Sequence, residues 1–277
     1  MSHWYDKQGN PCYEVKGKKG LRPSTLRDAR KFGWVPSVST VWGDVVTKPM
    51  LNKWIQTELL EALWTETHSY MSTAEAIATH REGLPHRQEF ESFEKLARAR
   101  FNEKQQQVMG RGTMIHDYLE KYFTKRQGDV PSEYLGLCQG VALKLQTITN
   151  NDVSNPHNHW RVEESFAHRY GYGGKVDLYN DEWVVDFKTK TFGDKPNPKK
   201  MAYDDYGVQL AAYDQGLPPP PDKNLSGRRL LNLFIDVGSS RVLEWEHEDA
   251  NRFRLMFNNA LELWKLIKKY NPEWHVM

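Results

Sequence analysis

Cysteine is scarce: the 277 residues hold two, Cys12 and Cys138. Two cysteines cannot build a disulfide framework, and neither sits in a C-x-x-C pair. An all-cysteine iron–sulfur cluster needs four thiolates, so no such cluster is expected. The pair reads as reduced thiols of a cytosolic protein. Long apolar runs are also lacking. No stretch approaches the ~20 residues of a membrane helix. The polar, aromatic start "MSHWYDKQGNPCYEV" does not read as a signal peptide. No membrane association is expected, and the expected location is cytoplasmic.

An excess of one charge is missing too. The 38 basic and 36 acidic residues leave a formal net charge of +2. Any nucleic-acid surface must therefore be a local basic patch or groove. A nucleotide-binding loop is absent: "GYGGKV" lacks the earlier glycine, and Val176 stands where a hydroxyl would hold Mg²⁺. No nucleotide cofactor is expected. The contiguous letters of His157-Asn158-His159 do not make an HNH nuclease motif, which spreads those residues over a ββα unit. No Gly-x-Ser-x-Gly elbow is present either.

What is present fits a globular chain with a sizeable core: 39% hydrophobic and 27% charged residues. Residues 1–36 cluster Lys16, Lys18, Lys19, Arg22, Arg27, Arg30 and Lys31 among glycines and prolines. They read as a solvated arm, or as one that contacts phosphates. Pro49 opens an expected helix with Met50, Trp54, Ile55, Leu59 and Leu63 along one face. Residues 87–126 are helical in character, with Phe90, Phe93, Leu96 and Ala97 as one apolar face. Gly110 and Gly112 are expected to break that segment. A new helix then starts at an N-cap Thr113, carrying His116 and facing Ile115, Leu119 and Phe123 to the core. A further helix is expected over 132–149.

From Trp160 the apolar period changes to two. "HWRVEESFAHRY", "GGKVDLY" and "EWVVDFKT" read as strands, with turns at Gly171, Gly173 and Gly174 and at Asn180-Asp181. "YDDYGVQLAAYDQG" returns to helix. "RRLLNLFIDVGSSRVLEWEHE" is a second hairpin. Residues 248–269 close the chain as an amphipathic helix burying Phe253, Met256, Phe257, Leu261, Trp264 and Ile267. The expected class is α/β (α+β mixed), with a central mixed β-sheet flanked by helices. Residues 1–109 form a basic arm and N-terminal helical region, and residues 110–277 the core, together one compact unit.

The stretch "GKVDLYNDEWVVDFKTK" puts unusual charge into strand-like sequence. Alternation places Val184, Asp186 and Lys188 on one face, and the turn brings Asp177 towards Asp186. Two converging carboxylates repel unless one is protonated or a cation is bound. Oxygen ligands favour Mg²⁺ or Mn²⁺. A lysine beside such an ion can orient water or stabilise charge on a phosphate. Taken alone, D-x-K is also what a surface hairpin with an ion pair looks like. Lys188, Lys190, Lys195, Lys199 and Lys200 follow the acids, and Arg100, Lys104 and Arg111 precede His116. Together they could track a phosphate backbone. Trp34, Trp42 or Tyr172 could stack bases.

"GTMIHDYLE", "VEESF", "GYGGKVDLY", "VVDFKTK" and "VQLAAYD" occur in the order of the RecB-like branch of the PD-(D/E)XK nuclease superfamily, which the chain resembles. It is most similar to phage-encoded exonucleases and the mitochondrial genome maintenance exonuclease group. The likeness covers roughly residues 110–215 by motif, and "LRPSTLRDARKFGWVPSVSTV" is similar to the leader of such phage proteins. The resemblance implies a restriction-endonuclease-like core and a Mg²⁺- or Mn²⁺-dependent DNA exonuclease of recombination, repair or degradation. It implies Asp177 and Asp186 as metal-binding acids, Lys188 as catalytic lysine, and the Phe187 carbonyl and His116 as further metal ligands. It adds an upstream catalytic glutamate, Glu163 or its neighbour Glu164, with Glu163 favoured by its spacing to Phe166. Gln209 and Tyr213 would position substrate, with Lys190 and Arg111 on its phosphates. Partners would be single-stranded DNA or duplex ends, with a single-strand annealing or binding protein, in host cytoplasm if the gene is phage-borne. Alternatives are a structure-specific endonuclease on the same fold and a non-catalytic DNA-binding module.

Overall fold

The computed structural model describes residues 3–18, 20–46, 55–62, 65, 87–124, 126–150, 160–220 and 227–273. Met50, Trp54, Leu63 and His157–His159 lie outside the described residues, as do the side chains of Phe90, Phe93 and Ala97. The chain forms two compact units, Met1–Val46 with Met114–Met277, and Thr47–Thr113. The first 46 residues group with the larger unit.

The elements begin with strands β1 (Trp4–Tyr5), β2 (Glu14–Gly17) and β3 (Gly20–Pro23), helix α1 (Leu26–Phe32), strand β4 (Val35–Pro36) and helix α2 (Val38–Val45). Helix α3 (Arg87–Phe123) and helix α4 (Ser132–Thr149) follow. Then come strands β5 (Arg161–His168), β6 (Tyr172–Tyr179) and β7 (Trp183–Lys190), helices α5 (Pro198–Met201) and α6 (Asp204–Gly216), strands β8 (Arg229–Asp236) and β9 (Val242–His247), and helix α7 (Ala250–Lys268).

Within the smaller unit, residues 55–62 are helical, and Lys104 on α3 pairs with Glu58. Leu96, expected on an apolar face, is exposed. Helix α3 runs through Gly110 and Gly112 without a break. Each glycine costs a helix ~1 kcal/mol relative to alanine but leaves its hydrogen-bond ladder possible. Thr113 is consequently no N-cap; its hydroxyl donates back to the Met109 carbonyl at 3.1 Å.

In the larger unit, five strands form one sheet in the order β5-β6-β7-β8-β9. Neighbours are antiparallel except β7 and β8, which pair in parallel over Trp183–Lys190 and Arg229–Asp236. The protein is thus mixed α/β with flanking helices. One apolar cluster joins Val176, Val184 and Leu230 of the sheet to α2, α6 and α7. The other joins Leu178, Val185, Leu231 and Leu233 to the C-terminal turns of α3 and to α4. Each fully buried leucine or phenylalanine contributes ~1.5–3 kcal/mol. Gly173 and Gly174, expected at a turn, lie inside β6. Ile267, expected in the core, is exposed, while Phe253, Phe257, Leu261 and Trp264 of α7 are buried as their spacing requires.

The N-terminal segment is not a free arm. Trp4, Tyr5, Ala29 and Val35 are buried, and β1 pairs with β4. Arg22 forms a two-pronged bond to Asp28, at 2.8 Å for each contact. Asp28 also accepts the Thr25 amide and so caps α1. One of its arginines is therefore held by an acid of the same segment. The β2–β3 hairpin is mostly exposed.

Candidate active site

Strands β6 and β7 share only two residue pairs, Leu178 with Val185 and Tyr179 with Val184. Asn180 closes the turn by accepting the amides of Glu182 and Trp183. In that register Asp177 and Asp186 come next, and there the strands part. The Phe187 amide, which would have bonded a β6 carbonyl, instead donates to Asp177 Oδ2 at 2.7 Å. The family likeness points to the Phe187 carbonyl; the bond the structure fixes at this residue is through its amide.

A second irregularity meets the first. Glu163 has φ 53, the left-handed region that a glutamate rarely enters. It lies between the pairs Val162–Leu178 and Glu164–Val176. Val162 and Leu178 belong to the α3–α4 cluster, whereas Phe166 and Val176 belong to the opposite one. Regular alternation would keep 162 with 166 and 176 with 178. Both strands thus change face at the same level, at Glu163 and Asp177. Such backbone costs of order 1–3 kcal/mol and concentrates at functional sites.

Helix α3 enters from one face of the sheet. Phe123 stacks on Phe187 with ring centroids 5.9 Å apart, which holds the helix in place. His116 then meets Phe187 edge-on, and its Nδ1 lies 3.5 Å from Asp177 Oδ1. Donor atoms of His116, Glu163 and Asp177 all lie within 4.8 Å of one another. This trio is what the parting of the sheet assembles. Of the two adjacent glutamates, Glu163 is the one in this group, while Glu164 lies 3.7 Å from Arg161. Lys175, on β6, reaches across to Glu163 Oε2 at 2.5 Å.

Helix α6 closes the other face. Its Gln209 and Tyr213, four residues apart, share one side. Gly174 admits the tyrosine ring: a Cβ there would stand 2.7 Å from Tyr213 Cε1. Gln209 Nε2 donates to Tyr213 OH at 2.8 Å and to Asp186 Oδ1 at 3.2 Å. Lys188 Nζ donates to Asp186 Oδ1 at 2.8 Å and to Gln209 Oε1 at 3.1 Å. Asn232 Nδ2 donates to Asp186 Oδ2 at 2.7 Å. Asp186 is therefore tied to these donors and is not one of the donor trio.

The electrostatics follow from burial and neighbours. Burial opposes a charge on His116, but the Asp177 carboxylate beside it prevails and raises the imidazole to about 9. Burial, then the Asp177 charge, pushes Glu163 up to about 7 against the pull of Lys175. Asp177 is held below the usual carboxylate range, because His116 outweighs its burial. Asp186 is raised by burial, although Lys188 counters part of the effect.

Lys190 is two positions along β7 from Lys188; its Nζ donates to Tyr206 OH at 2.7 Å and lies 5.2 Å from the Tyr203 and Tyr206 ring centroids. Arg111 is exposed and belongs to the smaller unit. Trp42 and Tyr172 are no base platforms: both are buried, bonded to Asp205 and to the Ala212 carbonyl. Trp34 is half-buried and stacked on Phe32. The sequence reading missed Asn232, Lys175 and Tyr206. Asn232 left a signal, as a polar residue in the apolar run "LLNLFI".

The donor trio fits a hard divalent cation. It offers one imidazole nitrogen and two carboxylates, three of the six ligands that octahedral Mg²⁺ or Mn²⁺ takes. Among the described residues, this is the one group of three or more such side chains within that span. Among the described residues, no helix is long and apolar enough to cross a membrane.

No family model matches the chain, and no curated protein matches it. One solved structure, titled "Crystal structure of SSO0001", is similar at 20% identity. The match covers 56% of this chain and 70% of that one, with a TM-score of 0.25. A likeness that low carries no argument about fold or function.

Proposed function

We propose that the protein is a divalent-metal-dependent nuclease with a PD-(D/E)XK core, hydrolysing phosphodiester bonds from DNA ends. One observation carries this reading. The His116–Glu163–Asp177 donor set adjoins the Asp186–Lys188 pair at the point where β6 and β7 part. His116, Glu163 and Asp177 would hold Mg²⁺ or Mn²⁺. When bound, such an ion polarises phosphoryl oxygens and lowers the pKa of water.

The chain's own groups do the rest. Lys188 presents a cation held by Asp186 and Gln209, ready to orient a water or to offset charge growing on phosphate. Gln209 ties that lysine to Tyr213 and α6, so its position does not depend on solvent. Lys190 extends positive charge along the same face. The preference for ends rests on the resemblance of the motifs to phage and mitochondrial exonucleases, and so does a single-strand-binding partner.

End-labelled single-stranded and duplex DNA and a closed circle, each with Mg²⁺ or Mn²⁺, test the reading. Linear substrates are expected to release nucleotides only with metal, and the circle is expected to persist. In Lys188→Met the single-turnover rate is expected to fall by ~10²–10³. Cleavage of the circle at the linear rate would make the protein an endonuclease on the same fold. DNA binding without any metal-dependent cleavage would leave a non-catalytic binding module.

A further inference from the structure

Three strands carry a chain of buried polar side chains that ends on Asp186. Asn232 on β8 faces Asp186 on β7 in register. Its Nδ2 donates to Asp186 Oδ2 at 2.7 Å and lies 3.3 Å from the Asp186 carbonyl oxygen. His247 on β9 places Nε2 2.8 Å from Asn232 Oδ1. Asn232 is fully buried and His247 nearly so.

Chemistry fixes where the protons are. The amide turns its NH₂ to the carboxylate, so its carbonyl oxygen faces His247. That oxygen only accepts, so Nε2 must carry a hydrogen. Burial pushes His247 down to about 4, which leaves a neutral ring protonated on Nε2 alone. The ring is packed on two sides. Phe253 meets it edge-on, with centroids 5.4 Å apart. Gly207 of α6 backs it: a Cβ there would lie 2.9 Å from Nδ1 and 2.6 Å from the Phe253 ring.

Buried polar groups cost stability unless every partner is met, and apolar residues at 232 and 247 would fill the same space without that demand. What the polar chain achieves is direction. Asn232 takes Oδ2 of Asp186 and leaves Oδ1 for Lys188 and Gln209.

We propose that Asn232 and His247 are positioning residues for the Asp186–Lys188 pair: His247 locks the Asn232 amide, and that amide aims the carboxylate. Its effect on turnover rests on the nuclease reading above; its protonation pattern does not. Two measurements on the full-length chain separate them. The first is the long-range ¹H–¹⁵N spectrum of ¹⁵N-histidine protein, with the His247 signal assigned by its loss in His247→Gln. A neutral, Nε2-protonated ring is expected, and its signal should move in Asn232→Leu. The second is steady-state DNA hydrolysis. Asn232→Leu and His247→Leu are expected to lower kcat by ~10–100-fold with little change in KM, and His247→Gln, which keeps a donor, to stay within about threefold of wild type. A ring protonated on Nδ1, or His247→Gln as impaired as His247→Leu at an unchanged melting temperature, would overturn the proposal. If the wild-type protein does not cleave DNA, the nuclease reading falls and the histidine spectrum alone decides the relay.

Discussion

Around Asp177, two groups hold protons that they would lose in a denatured chain at neutral pH. His116 is raised from 6.5 to about 9. Its contribution to stability is full below the unfolded value and is lost as pH rises through about 9. Glu163 is raised from 4.5 to about 7, so its contribution is present below 4.5 and lost as pH rises through about 7. Asp177 is depressed, and its contribution is present above its ordinary value and lost only in acid. Below about pH 6.5 half-buried His168 and buried His247, both pushed down to about 4, act with the opposite sign, so the metal-free protein should melt at progressively lower temperature from about pH 6.5 to about pH 9. A cation entering the trio must displace the protons of His116 and Glu163. Mn²⁺ affinity should rise over the same range, with protons released to the buffer. Calorimetric titration in two buffers of different ionisation enthalpy reads that release, and a value of zero would remove both residues from the ligand set. The sequence made Asp177, Asp186 and Lys188 visible as charges at strand spacing. It left Glu163 and Glu164 unresolved because face alternation itself changes at that residue. Lys175 went unread because its pairing with Glu163 needs the β5–β6 register.

At the scale of the element, the turn of backbone at Glu163 sets an order of stability that runs against habit. Glycine inside a strand is usually worse than alanine by roughly 0.5–1 kcal/mol. Here the left-handed conformation adds ~1–2 kcal/mol to any residue with a Cβ. Glu163→Gly should be more stable than Glu163→Ala by about 1 kcal/mol in urea denaturation, with both inactive. An alanine variant equal to or better than glycine would mean that the strand straightens once the carboxylate is gone. Regular elements were the easiest to read: α4 spans Ser132–Thr149 as its period required, and the closing helix differs by one or two residues at each end. The glycines of α3 misled, because a glycine lowers helix propensity without ending a helix that is packed beyond it.

For the molecule as a whole, the N-terminal segment is structural. Trp4 is 1% exposed and packs with Trp264 of α7. Trp4→Ala is expected to cost ~3–5 kcal/mol, whereas Lys18→Ala in the exposed hairpin should stay within about 0.5 kcal/mol. Thermal melts of the two variants would show it, and equal melting temperatures would refute it. Local sequence could not reveal this. Lysine and arginine density reads as solvated, and the contacts that fold the segment back are remote: Trp4 with Pro36, and Ser37 with Gly173. The central sheet was legible because its strands are apolar and punctuated by turns; the seam within it was not.

That seam makes one hydrogen bond serve two ends. The Phe187 amide would continue the sheet if it met a main-chain carbonyl, and it builds the site because it meets Asp177 instead. An alanine at 177 would not be a silent knockout: it would strand a buried amide, at ~1–3 kcal/mol, or let the strands zip shut over the site. Asparagine keeps an acceptor oxygen there and removes the charge. Asp177→Asn is thus the inert form whose loss of activity speaks about chemistry and not about the architecture of the sheet.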